Sequence, residues 1–287
     1  VSKRRSLLDN WRLRSLLLFS LLLLAVFYLQ YRHLFHCETI SLSRFTEIAP
    51  DVYVSDKIPD DQFQPILRTI KSSQRRIVDF WGAQQGKPTI IVCATPTEYQ
   101  KYCLSREGAG CSLGTFYGSA FIILNLHGIN VDVISHEMCH NELFQRVGWY
   151  KTTFQIPQWF HEGLSMMLDY RFVDERDSRL RYEKYLTEWK LRTQPPAKRI
   201  SLPEVESLKG FFNGDSRHVT LAYLTAATEV AYWLAIVEKP GLLAWAEAMK
   251  KENFDCYHRV ESAYSSQKTS LPQHNPIRLL PRFAPSD

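Results

Sequence analysis

His136, Glu137 and His140 interrupt a largely apolar, helix-like run, "VISHEMCHNELF", between Val133 and Phe144. Polar groups in such a run are costly to bury unless something satisfies them. His136 and His140 are four residues apart, so on a helix their side chains leave the same face one turn apart. Both imidazoles can then reach one ion. Glu137 is rotated about 100° from His136, so it flanks the pair instead of competing with it, placed to take a proton from an attacking water. This is the His-Glu-x-x-His spacing of zinc-dependent hydrolysis. A solvated helix face is the bland alternative, and it fits badly. Val133, Leu143, Phe144 and Val147 share the histidine side, which makes that side the buried one.

A catalytic zinc takes three protein ligands and keeps one position open. The metzincin spacing would require a glycine and a histidine where this chain has Leu143 and Arg146, so that class is excluded. Downstream, "PQWFHEGLSMML" offers Glu162, 22 residues after His140, on a second helix that a loop can return over the histidine pair. Gly163 beside it would let the two helices approach closely. His161 competes as a ligand from the same stretch, pointing about 100° away from Glu162. Asp169, two turns past Glu162, is either a carboxylate that orients a ligand histidine or a surface aspartate at a helix end. Met166 and Met167 read as core. Trp159, Phe160, Phe211 and Phe212 suit a hydrophobic subsite or core packing equally.

The two stretches in this order resemble the gluzincin zinc metallopeptidases, of the thermolysin-like, peptidase MA-like kind, over roughly residues 88 to 265. The resemblance implies a zincin-like fold and a zinc peptidase in which His136, His140 and Glu162 hold Zn2+ and Glu137 is the general base. It implies that "GTFYGSAFIILN" supplies an edge strand on which an extended peptide substrate pairs. It also implies an oxyanion donor well downstream of the glutamate ligand, a role for which Tyr223 and His218 are the candidates. Tyr223 serves equally as a helix-core tyrosine, and His218 as a loop residue.

Several elements must position these groups. "PDDQFQPILRTIKSSQRRIVDFWGAQQGK" reads as an amphipathic helix, capped by Asp60 and stopped at Gly86. "PTIIVCAT" is a short buried strand, and Gly114 to Leu126 a longer strand or hairpin. Asn130 caps the histidine helix and Gly148 ends it, while Pro157 opens the next. Beyond Asp177 the pattern is helical over Ser178 to Thr193, Leu202 to Lys209, Thr220 to Glu238 and Gly241 to Lys251, with "RTQPPAKR" the clearest linker. Strands first and helices after give an α+β expectation with two lobes: a small N-terminal mixed sheet carrying the active-site helix, then a mainly helical C-terminal lobe.

The net charge of +5 is concentrated in Lys3, Arg4, Arg5, Arg12 and Arg14. The remainder is nearly neutral, which argues against nucleic acid as a partner. "SLLLFSLLLLAVFYLQY", Ser15 to Tyr31, is long enough at the short end of the range to span a membrane. Tyr28 and Tyr31 fall at an interface, and no small-residue cleavage site follows, so an uncleaved anchor is expected rather than a signal peptide. The basic excess before the run places the N-terminus in the cytoplasm and the rest outside it, on the periplasmic side in a bacterium. That compartment suits the six cysteines, of which Cys103 and Cys111 flank a segment able to close as a disulfide loop. Cys139 reads as a buried free thiol. The expected divisions are a leader (1–14), an anchor (15–31), a region with the amphipathic helix (32–87), a zinc peptidase domain (88–265) and a tail (266–287). The sequence therefore points to a membrane-anchored zinc peptidase acting on a peptide or protein. Two alternatives stand beside it: an inactive zinc-binding module that works through binding or assembly, and an intracellular structural protein in which the motif is accidental.

Overall fold

A computed structural model of the chain describes residues 2–103, 108–195, 199–267 and 275–279. Part of the segment between Cys103 and Cys111, part of the "RTQPPAKR" linker and most of the tail lie outside these residues. In chain order the elements are α1 (Ser2–Glu38), β1 (Phe45–Ala49), β2 (Val52–Ser55), α2 (Phe63–Trp81), β3 (Thr89–Val92), α3 (Pro96–Tyr102), β4 (Gly110–Gly114) and β5 (Ala120–Leu124). There follow α4 (Val131–Val147), α5 (Trp149–Phe154), α6 (Gln158–Met166), α7 (Ser178–Arg192), α8 (Leu208–Phe212), α9 (Ser216–Lys251) and α10 (Cys256–Ser265). The class is mixed α+β.

The five strands form one sheet in the order β1-β2-β3-β5-β4. β2, β3 and β5 run parallel, and the flanking strands β1 and β4 are antiparallel to their neighbours. Because side chains alternate across a strand, Ile90, Val92, Ile122 and Leu124 join the large core beneath α2 and α4. Ile91, Cys93, Phe121 and Ile123 face the other way and pack on Tyr99 and Tyr102 of α3 and on Cys37 and Ile40. The run "TIIV" is thus apolar on both faces because it is an interior strand covered on both sides.

Several boundaries differ from the sequence expectation. The hairpin begins four residues early: β4 is the edge strand, a turn follows through Gly118, and β5 lies inside the sheet. "GTFYGSAFIILN" therefore contributes its β5 portion to the interior, and the edge is supplied by the residues before it. α2 stops at Trp81, where Gly82 takes a left-handed conformation (φ 84°) and donates its N–H to the Val78 carbonyl. Leu202 to Lys209 divides into a 3-10 turn, Leu202–Val205, and α8. The division expected between Glu238 and Gly241 does appear, as a kink inside α9 at Glu238 (φ 54°), just before Pro240.

The sheet and the helices that follow it share one large core. The large apolar core runs from Val52 and Val54 of the sheet through α4 and α6 to α9 and Ile277. Residue 87 is therefore no boundary, since β1, β2 and α2 share the sheet and core with β3, β5 and α4 beyond it. Nor is all of the tail free: Arg278 pairs with Glu229 (2.6 Å) and Glu261 (2.7 Å), and Asn275 donates to Glu229 (2.6 Å).

α1 is long and apolar enough over Leu13–Glu38 to cross a membrane, and none of that stretch's apolar window is covered by protein. α9 passes the same test of length and composition but is mostly buried, as a core helix is. Helical geometry lapses at Tyr31, and immediately beyond it His33 and Cys37 are buried. The last turns of α1 therefore belong to the folded domain. A fragment starting at Arg32 should stay in solution without detergent and unfold cooperatively, whereas the full chain should need detergent. Starting at Ile40 should lower Tm by several degrees, because removing buried side chains costs about 2–5 kcal/mol each. Equal melting of the two fragments would show that the end of α1 does not belong to the domain.

Candidate functional site

α4 is fixed at both ends as its sequence requires. The Asn130 side chain accepts from the Val133 N–H (2.9 Å), and Gly148 closes the C-terminus with φ 92°. Midway, Glu142 accepts from the backbone N–H groups of Gln85 (2.8 Å) and Gly86 (2.7 Å) and pairs with Arg146 (2.7 Å). This buried network anchors the helix to the loop after α2. Gly86 matters here as a point of close approach, since a Cβ there would fall 2.1 Å from Asn141 Oδ1.

His136, Glu137 and His140 are all largely buried, and α6 brings Glu162 over them. Glu162 Oε2 lies 3.3 Å from His136 Nε2 and 3.7 Å from His140 Nε2. One ligand atom from each of His136, His140 and Glu162 falls within 4.8 Å of the others, so the cluster could hold a metal ion. Two buried atoms in it, Glu162 Oε2 and His136 Nδ1, have no hydrogen-bond partner among the described residues. Unpaired buried polar atoms are rare and call for an explanation. Glu162's orphaned oxygen is the one turned towards both imidazoles, and a cation there would satisfy it.

The carboxylate is held by its other oxygen. Gln158, one turn earlier on α6, donates from Nε2 to Glu162 Oε1 (2.8 Å). One turn later Ser165 Oγ lies 3.3 Å from His140 Nδ1, which leaves Nε2 to face the cluster. Neither residue was singled out in the sequence, although the spacing 158, 162, 165 puts all three on one helix face.

His161 does not join the cluster. Its Nε2 lies 2.7 Å from the Thr152 carbonyl, so that nitrogen is already committed. Gly163 is a close approach, but to α9 and not to α4: a Cβ would fall 2.5 Å from the Ala226 carbonyl oxygen and 2.6 Å from Val230 Cγ2. Asp169 is neither an orienter of a histidine nor a surface residue. It is buried, and Arg171 takes both its oxygens, at 2.9 and 2.5 Å. His218 stays at the start of α9 with Nε2 2.8 Å from the Gly210 carbonyl, outside the cavity lining. Tyr223 does reach the site, its ring 6.4 Å from that of His136. Trp159 and Phe160 are core, Phe211 backs Tyr223 with rings 5.0 Å apart, and Phe212 lines the cavity. Met166 and Met167 are buried core residues, and Cys139 is a buried free thiol whose pKa burial pushes up to about 12. Cys103 and Cys111 form a disulfide beside β4.

The cluster opens into a cavity of about 550 Å³. One wall is β4, through Gly110, Cys111 and Ser112, and the other carries Leu208, Phe212 and Tyr223. β4 crosses close above Glu137, where a Cβ at Gly110 would lie 3.0 Å from Glu137 Cγ and 3.2 Å from Oε1. Burial raises the Glu137 carboxyl to about 7, with Glu162 and Asp169 adding to the rise and His136 and Arg171 opposing it. Burial would likewise raise Glu162, but the adjacent imidazoles hold its carboxyl below the usual range, and the same carboxylate shifts His136 upward. Burial depresses His140 to about 3, which keeps it neutral and able to act as a ligand. Tyr223 is shifted upward by burial and by Glu162 and Glu137, so its phenol keeps its proton.

No known protein family and no curated protein matches the chain.

Glu137 gives the metal-free protein a defined pH dependence. Its folded value of about 7 exceeds its ordinary 4.5, so the fold favours the protonated form. The resulting stabilisation is complete below pH 4.5 and is lost as pH rises through 7. With chelator present, Glu137→Gln should therefore gain on the unmodified chain in Tm between those limits. Parallel Tm curves for the two proteins would contradict the shift.

Proposed function

We propose that this chain is a membrane-anchored zinc peptidase of gluzincin type, with His136, His140 and Glu162 as ligands and Glu137 as general base. The observation that carries the proposal is the free Oε2 of Glu162 facing two imidazole nitrogens at 3.3 and 3.7 Å, with a second carboxylate, Glu137, beside them on the cavity wall. Two imidazoles, one carboxylate and an open cleft suit a catalytic zinc. Bound there, zinc would acidify water towards a pKa of about 7 and polarise a carbonyl.

The chain's own groups supply the rest. Glu137, poised near neutrality, accepts the proton of the attacking water and delivers it to the leaving amine. The protonated Tyr223 donates to the oxygen that gains charge as the carbonyl carbon becomes tetrahedral. β4 offers its outer edge to an extended peptide, and a chain paired there passes over Glu137. Gly110 keeps that passage open. Phe212 and Leu208 on the opposite wall favour apolar side chains.

The placement outside the cytoplasm is part of the proposal. It draws on the basic residues that precede the apolar run and on the Cys103–Cys111 disulfide, which fits an oxidising compartment.

Glu137→Gln is the direct test. It keeps size and leaves the three ligand residues intact, so zinc content should be unchanged while turnover of a mixed peptide library falls by about 10²–10⁴. Equal cleavage by the two proteins at equal zinc loading would end the peptidase mechanism. Absence of any cleavage by the unmodified, zinc-loaded chain would favour the non-catalytic module.

A further inference from the structure

A second cavity, of about 590 Å³, lies at the far end of α4, between α2, the segment after α6, the start of α7 and α9. Arg75, Arg76, Arg176 and Arg181 line it, with Asp79 as the single lining carboxylate. Only Arg76 among the four has an acidic partner, Asp132 at 2.5 Å, and it also donates to the Leu168 carbonyl at 2.7 Å. Among the described residues no carboxylate lies within ion-pair distance of Arg75, Arg176 or Arg181.

Arg181 is the informative member. It is only 6 % exposed, yet it donates to the carbonyls of Met167 and Val173 instead of to an acid. Its Nε has no partner. A buried charge is expensive unless an opposite charge accompanies it, and here a second guanidinium, that of Arg76, sits against the same Tyr170 ring. Arg76, Arg181 and Arg176 converge on one ring, with their guanidinium carbons 4.1, 4.6 and 5.8 Å from the centre of Tyr170. Cation–π contact softens this crowding but does not neutralise it.

We propose that this cavity binds a phosphate group, carried by a small molecule or by a lipid headgroup. A phosphate brings about two negative charges and several acceptor oxygens, so it can engage more than one guanidinium fork at once. A single carboxylate would leave most of the positive charge uncompensated. The site is separate from the metal cluster but abuts the helices that build it. Arg76 joins Asp132, at the first turn of α4, to the carbonyl of Leu168, just past α6. An occupant therefore stabilises the ends of both ligand-bearing helices.

The test uses the full chain in neutral detergent at physiological ionic strength, titrated with inorganic pyrophosphate and, in a second arm, with micelles containing phosphatidic acid. One pyrophosphate should bind per chain and raise Tm by mass action. Micellar phosphatidic acid competing for the same site at lower concentration would identify a headgroup as the source, and failure to compete would identify a soluble phosphate. Arg75→Ala with Arg176→Ala removes two exposed guanidiniums at little risk to the fold and should weaken binding by about tenfold per residue. The double lysine replacement keeps the charge but loses the forks, and should recover only part of that loss. No saturable binding, or equal binding by the unmodified and double-alanine proteins, would overturn the proposal. In the second case the pyrophosphate sits elsewhere, the metal cluster included.

Discussion

Everything at the His136, His140 and Glu162 cluster depends on how α6 is seated. Gly163 presents no side chain to the Ala226 carbonyl and Val230 of α9, so the two backbones meet at a distance that alanine would prevent. With α6 pressed onto α9, Glu162 is delivered to α4 and its side chain has no freedom to withdraw. Cores resist added volume because their neighbours cannot give way cheaply. The glycine is thus a constraint on chemistry exerted from the side of the helix facing away from the histidines.

Around that contact the polar groups divide into bound and unbound. Gln158 holds one oxygen of Glu162, Ser165 meets His140 Nδ1, and Thr152 occupies His161. Glu142, Asp169 and Glu229 are buried too, yet each is met by an arginine. Against that background, Glu162 Oε2 is the one carboxylate oxygen among the buried side-chain atoms that the described residues leave unpaired. A fold that satisfies its structural carboxylates so fully and leaves one oxygen bare between two imidazoles has the character of a ligand set. Nearby, Glu137 lacks an arginine bonded to it and is raised towards neutrality by burial.

Much of this was legible in the chain. The i, i+4 histidines, the Asn130 cap, the Gly148 stop and the long apolar N-terminal helix all rest on short-range rules that hold wherever the segment packs. The partner of Gly163 was not legible, because a glycine announces a close approach without saying to what. The edge strand was misplaced for a related reason: "AFIIL" carries the stronger strand composition, but its apolar character on both faces marks an interior strand, and the edge fell to the weaker "GCSLG". β1 and β2, "FTEIA" and "VYVS", lack the unbroken apolar run that marks "TIIV", and so do not signal themselves. α3 carries a legible start, since Thr95 caps the Glu98 N–H and Glu98 reaches back to Ala94. Asp169's partner, two residues away in sequence, depended on a turn that composition does not specify.

The central claim is that His136, His140 and Glu162 together hold one zinc. X-ray absorption at the zinc edge on the purified full chain tests it most directly. The expected result is one zinc per chain, with two imidazole nitrogens at about 2.0–2.1 Å and oxygen from a carboxylate and a light fourth ligand at about 2.0–2.2 Å, and loss of that zinc in His140→Ala. A chain that takes up no zinc, or one whose His140→Ala variant keeps stoichiometric zinc with unchanged coordination, would contradict it.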